Sequence, residues 1–251
     1  MASASAIASE DCHFSPGAPT VVQWVSSNGA TQSIGTKPTH PVFAFIITHI
    51  SPETAFFGLR THIGLKEGGK TKTTINVFIY PEHITHLALK DPDSHPVPVL
   101  NAFTSRIPQY KSPEDIVGLT FSLQRPATAV GPSNATRLSP KTKPSEDFLI
   151  SLNSLVQATE VTMFIPKNNN HVGRIKSLCI KACNGGLKAS PYEYSLPRLY
   201  SGSGGKDIRD LLSRFREPSE GPPSYDELAL SSPAPPPLRR GRRKREYILI
   251  P

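Results

Sequence analysis

Alternating and striped apolar positions mark most of the elements in this chain. Val21, Val22, Trp24 and Val25 form a first apolar cluster that predicts a short strand, with a turn at Asn28-Gly29. Residues 42–48 are apolar and β-prone throughout, the pattern of a strand buried on both faces. In 55–65, Leu59, Thr61 and Ile63 alternate with Arg60 and His62; in 72–80, Ile75, Val77 and Ile79 alternate with Thr74, Asn76 and Phe78. With Gly68-Gly69 between them, these two runs predict a hairpin. Residues 84–89 fit a strand or a helical turn. Leu119, Phe121 and Leu123 predict a further strand that stops at Pro126. The Pro-rich stretches 91–116 and 126–144 read as loop.

Two helices come late. Residues 145–158 place Phe148, Leu149, Leu152, Leu155 and Val156 on one stripe, behind Ser145 as cap and Glu146 and Asp147 in the first turn. Val161, Met163 and Ile165 then alternate as a strand. A second helix over 171–183 puts Val172, Ile175, Leu178, Cys179 and Ala182 on one face, and Gly185-Gly186-Leu187 stops it. Residues 188–205 have no period. In 206–217, Ile208, Leu211, Leu212 and Phe215 line up at helical spacing, either as a helix for a partner or as one docked on the protein's own core.

Composition sharpens this outline. With 26 Pro and 17 Gly in 251 residues and 37% apolar residues, part of the chain is expected not to pack. The same figures exclude collagen, a coiled coil, a helical bundle and a multi-span membrane protein. The fold expected is α+β: a mainly antiparallel curled sheet or sandwich over 20–200 with two late helices, after a flexible arm at 1–19. Residues 201–251 are expected to be a disordered, Pro-rich, basic tail holding the short helix. The first residues show no charged and apolar leader pattern, so no secretory signal is expected. The sequon at Asn134-Ala135-Thr136 then reads as chance, and three cysteines suit a reducing, intracellular setting.

The formal charge is +8, and Arg239, Arg240, Arg242, Arg243, Lys244 and Arg245 supply six of the 28 basic residues. Outside them the chain holds 22 basic and 20 acidic residues, which assigns the basicity to the tail and argues against nucleic acid on the folded part. Such a run reads as a nuclear import signal, a nucleic-acid arm or a solvated tail. Pro222-Pro223-Ser224-Tyr225 matches a WW-domain ligand. Consecutive prolines preset the extended left-handed helix that docks between aromatic rings, and Tyr225 fills a second pocket. The alternative is a linker that matches a four-residue pattern by chance.

Enzyme chemistry has little support in the sequence. Cys179 and Cys183 at i, i+4 could hold half a metal site, with His83 and His86 as the nearby pair type, but two core residues are the simpler reading. His49 and His62 sit in strand-like segments. Gly202-Ser203-Gly204-Gly205-Lys206 lacks the flanking Gly and Ser/Thr of a phosphate loop; Tyr200 and Asp207 stand there instead. No catalytic residue, metal or cofactor is expected.

Several segments together carry a resemblance. They are Tyr80–His83 with His86–Leu89, Leu119–Pro126, Ser151–Thr159 running into Thr162–Pro166, Leu178–Leu187, Leu199–Gly205, and Pro222–Leu228 before a proline run and basic cluster. Over about 75–251 the chain resembles a widespread group of filamentous-fungal proteins that share a P-P-x-Y-x-E-L segment and a terminal Lys/Arg cluster. It departs in its acidic-apolar end, Glu246–Pro251. The resemblance implies a fungal source and a nuclear tag, and it supplies no catalytic residues. The function expected is a non-enzymatic nuclear adaptor or regulator. Its partners would be a WW-domain protein, such as a HECT-type ubiquitin ligase, and a nuclear import receptor, with no membrane. The alternatives are a nucleic-acid-associated factor and an enzyme of unrecognised class.

Overall fold

The computed structural model describes residues 19–216 except 52, 70, 107, 108 and 168, with the backbone alone at 48–51 and 169–171. The strands are β1 (Pro19–Val25), β2 (Thr31–Ile34), β3 (Phe43–Ser51), β4 (Thr54–Ile63), β5 (Thr73–Ile79), β6 (Ile84–Lys90), β7 (Ile116–Leu123), β8 (Thr128–Pro132), β9 (Glu160–Pro166), β10 (Lys188–Ala189) and β11 (Gly205–Asp207). The helices are α1 (Val97–Arg106), α2 (Lys143–Leu155), α3 (Asn169–Cys183) and α4 (Arg209–Leu212). The strand order is β11-β8-β5-β4-β3-β1-β9-β7-β6, unclosed, with β2 beside β1 and the parallel β10 beside β4. Every other pair is antiparallel. This is the α+β fold that the pattern predicts.

β1 is the joint of a curled sheet. Pro19 and Thr20 pair with β3, whereas Val21 to Trp24 pair with β9. The strands on either side therefore fold toward each other, and their apolar faces meet. Phe45 and Phe57 present ring edges to Phe121 at 6.4 and 5.6 Å. The alternation along β5, β7 and β9 puts Ile75, Val77, Leu119, Phe121, Val161 and Met163 into this one core. Burial of such side chains is the main term holding the two halves together.

α2 closes the core at Phe43, whose ring lies 5.5 Å from Phe148. The helix starts earlier than Ser145. Thr142 caps it by accepting from the Ser145 N–H, and Pro144 sits in the first turn, where its missing N–H costs nothing. Trp24 Nε1 donates to Ser154 Oγ at 3.0 Å, tying α2 to β1. α3 ends where the glycines predict: Gly185 has φ of 65°, Gly186 N–H donates to Lys181 O, and Gly185 N–H donates to Ala182 O.

Three stretches differ from expectation. The loop reading of 91–116 hides α1, because Pro96 and Pro98 look like breakers yet occupy the helix start, where proline is tolerated. Val99, Ala102 and Phe103 of α1 pack on Val21, Ile116 and Phe164, the outward face of the β1-β9-β7 half. The loop reading of 126–144 hides β8, a short strand whose partners come from β5 and β11. The body also continues past residue 200. β11 pairs with β8, and the Ile208 N–H donates to Ala129 O at 2.9 Å. The candidate partner helix of Ile208, Leu211, Leu212 and Phe215 is corrected accordingly. Ile208 and Leu212 are fully buried, and Leu211 and Phe215 pack against the same core, so this stripe serves the protein's own fold. Gly131 of β8 admits Ile208 so closely that a Cβ there would lie 2.9 Å from its side chain.

Candidate functional site

The sequence pairs no histidine with Cys179 or Cys183, but the topology does. β6 is the last strand of its half, and α3 lies along it. The Cys183 thiol sits 3.5 Å from both Leu87 N and Leu87 O and 3.6 Å from His86 Nδ1. It accepts from the Leu87 N–H and faces its carbonyl, satisfying groups that an edge strand otherwise leaves open. Cys179 is buried, and desolvation first, then Cys183, pushes its thiol up to about 11. Among the described residues no group of three or more His, Cys, Asp or Glu side chains could hold a metal ion. Cys183, through Leu87 and His86, pins α3 to β6, and Cys179 joins the core.

The far side of the β3-β4-β5 half is covered by residues 190–204. Tyr194 OH accepts from the Phe57 N–H and donates to Ile79 O, and the Tyr80 ring stacks on Tyr194 at 4.6 Å. Tyr200 OH accepts from Asn76 Nδ2 and lies 2.9 Å from Val130 O and 3.1 Å from Thr74 O. Burial raises both phenols above their ordinary value, Tyr200 to about 12, so both stay protonated donors. Tyr200 and Ser201 adopt φ of 54° and 56°, left-handed values that cost energy outside glycine, and the hydroxyl bonds of Tyr200 hold the first of them in place. Lys206, which the phosphate-loop comparison singles out, lies in β11 rather than at a helix start. The segment is a strap, and its chemistry is spent on the sheet.

A different arrangement lies just before α1. His95 is 7% exposed, and neither ring nitrogen makes a well-formed hydrogen bond. Its ring meets Phe164 edge-on at 5.3 Å. Burial, then Lys90, lowers its pKa, while the Pro113 carbonyl and Asp91 act the other way. Open grooves lie among the described residues. One of about 570 Å³ is lined by Gln157, Asp207, Arg209 and Asp210, with Asp207 tied to Arg209 at 2.6 Å. Another of about 430 Å³ is lined by Ala44, Ile46, Arg60 and His62, with His62 Nδ1 3.1 Å from Thr74 Oγ1.

The charge distribution corrects the sequence-based expectation most. Residues 19–216 hold 22 Lys and Arg against 13 Asp and Glu, so the body itself is at +9. Seven acidic residues lie outside it and mask this in the whole-chain count. From 161 to 192 there are five basic residues (Lys167, Arg174, Lys176, Lys181 and Lys188) and no acidic one. They lie on or beside α3. Its outward line is Gly173, Ser177, Ile180 and Asn184, all exposed, with Ile180 at 65%. Lys176 flanks that line on one side, Arg174 and Lys181 on the other. Among the described residues Lys167, Lys176, Lys181 and Lys188 form no ion pair, whereas Lys143 on α2 reaches both Glu146 and Asp147 at 3.2 Å.

No family model, curated protein or solved structure matches the chain. The candidate WW ligand (Pro222, Pro223, Tyr225) and the candidate import run (Arg239, Arg240, Arg242, Arg243, Lys244, Arg245) lie outside the described residues. The basic face of α3 is the feature that whole-chain arithmetic misses. Counting acids and bases segment by segment would have found it. No described helix is long and apolar enough to cross a membrane.

Proposed function

We propose that the chain is a nuclear adaptor of a filamentous fungus, in which a folded α+β body is joined to a tail that docks WW-domain partners. The observation that carries this reading is the position of the motif. Pro222 follows Arg216, the last described residue of the body, by six residues, and the core ends at Phe215. A P-P-x-Y ligand directly after a packed body is tethered to whatever that body holds. The basic run from Arg239 to Arg245 then supplies the nuclear address. Titration of the full chain with a WW domain of a HECT-type ligase tests the docking. Saturable binding that Tyr225→Ala weakens at least about tenfold supports it. Equal binding by the variant removes it.

A second reading, a nucleic-acid-associated factor, gains from the body's own +9 charge and from the acid-free stretch around α3. The two readings are compatible: the tail would bring a partner to what the body binds.

A further inference from the structure

We propose that the outward face of α3, from Lys167 to Lys188, is a docking surface for the phosphate backbone of nucleic acid. The proposal deepens the second reading above and depends on it.

Its basis is the use the fold makes of its other charges. Arg137 pairs with Glu67, Arg209 with Asp207, and Lys143 with Glu146 and Asp147. Arg106 donates to Lys37 O, and Arg198 lies 3.8 Å over the Tyr192 ring. These cations have structural partners, whereas Lys66, Lys72, Lys90, Lys111 and Lys206, scattered elsewhere on the body, have no ion pair among the described residues, as the lysines around α3 have none. Lys167, Lys176, Lys181 and Lys188 have no ion pair among the described residues, and 161–192 holds no acidic residue; the nearest acids come from other elements, with Lys167 N–H donating to Asp115 O and Lys188 N–H to Glu53 O. Lys176 and Lys181 stand on opposite flanks of the outward line, so an anionic partner laid along that line meets both.

The shape favours a polyanion over an acidic protein. α3 has 15 residues and is therefore about 22 Å long. Duplex nucleic acid offers about one phosphate charge per 1.7 Å of its axis, enough to meet cations on both flanks and at both ends of the helix. A protein partner would need a buried apolar anchor at the centre of the patch. The outward line of α3 offers only Ile180 as a large apolar side chain. The face is held rigidly, by Ile175, Leu178 and Ala182 in the core and by Cys183 on β6. Gly173 and Ser177 leave the centre of the line low, so a backbone can approach between the flanking lysines.

The test measures binding of a short fluorescent duplex DNA to three forms of the full chain across salt. They are the natural sequence, one with Arg239–Arg245 replaced by Ala and Gly, and one with Lys167→Gln, Lys176→Gln, Lys181→Gln and Lys188→Gln. The tail-replaced form is expected to bind still. The four-lysine variant is expected to lower the slope of log affinity against log salt by about 3 to 4. Its thermal unfolding should match that of the natural chain, which excludes misfolding as the cause. Loss of binding in the tail-replaced form alone overturns the α3 surface and leaves a nucleic-acid factor acting through its tail. No binding by any form at low salt overturns both readings. Displacement of the duplex by polyglutamate at equal charge concentration assigns the face to acidic proteins and overturns the proposal.

Discussion

α2 and α3 are both amphipathic, both late in the chain and both packed on the same core, yet they use charge differently. α2 carries Lys143, Glu146 and Asp147 within one turn, and they pair with one another. Two of its further polar contacts tie it to other elements: Asn153 Nδ2 donates to Phe215 O, and Ser154 Oγ accepts from Trp24. α3 carries only cations, and its inward polar contact is made by Cys183. One helix has its polar groups answered inside the molecule. The other leaves Lys176 and Lys181 with no ion pair among the described residues. Polar groups that a fold does not need are the ones left for a partner.

The largest expected effects test the shared half of this comparison. Phe148→Ala removes a fully buried ring packed on Phe43 and should cost about 3–5 kcal/mol in urea unfolding. Leu178→Ala should cost about 2–5 kcal/mol by the same measurement. A cost for Leu178→Ala near zero would mean that α3 is not anchored, and the contrast with α2 would collapse.

The helix ends come next in size. Thr142→Ala removes the cap of α2 and should cost about 1 kcal/mol. Gly185→Ala at the end of α3 should cost a similar amount, about 1 kcal/mol. A Cβ there meets nothing within 4 Å, so the whole cost is the φ of +65°. A larger loss would point to a steric role that the geometry does not show.

α1 adds a pH-sensitive contrast. His95, just ahead of α1 in the chain, is buried against Phe164; burial first and then Lys90 lowers its pKa, with the Pro113 carbonyl and Asp91 opposing. Because the folded-state pKa is lowered, the unfolded chain binds the proton more readily. Stability is therefore full above the ordinary histidine range near 6.5 and declines as pH falls through it. His95→Leu should flatten that part of the stability profile, measured by urea unfolding across pH. An unchanged slope in the variant would remove His95 as its source.

The smallest expected effect is on the outward lysines. The four-lysine variant should unfold within about 0.5 kcal/mol of the natural chain, since surface charges with no partner contribute little. A clear loss would show that the fold uses them after all.

Much of this was legible beforehand, for identifiable reasons. Phe121 in β7 alternates with Thr120 and Ser122, so strand and facing follow from period two, whereas Val77 in β5 and Met163 in β9 are each followed by a phenylalanine buried on the other face. Phe148 to Val156 and Ile175 to Ala182 keep a helical period. Gly185-Gly186 announces the stop. The curl of the sheet was less accessible, because it depends on β1 changing partners between Thr20 and Val21, which no local pattern encodes. α1 was hidden by prolines that sit at a tolerated position, and β8 by its five-residue length. The stripe at Ile208 to Phe215 was visible, but its periodicity does not say whose core it joins. The candidate surface was obscured by pooling charges over the chain. Glu217, Glu220, Asp226 and Glu227 lie just beyond the body and cancel its excess on paper.

The central claim is that α3, and not α2 or the tail, presents this molecule's cations to a polyanion. Backbone amide chemical shifts of the labelled full chain, followed while a short duplex DNA is added, test it most directly. The account predicts that the largest shifts fall on 173–184 and Lys188, with α2 unmoved. Shifts on α2, or shifts restricted to the Arg239–Arg245 run, would contradict it.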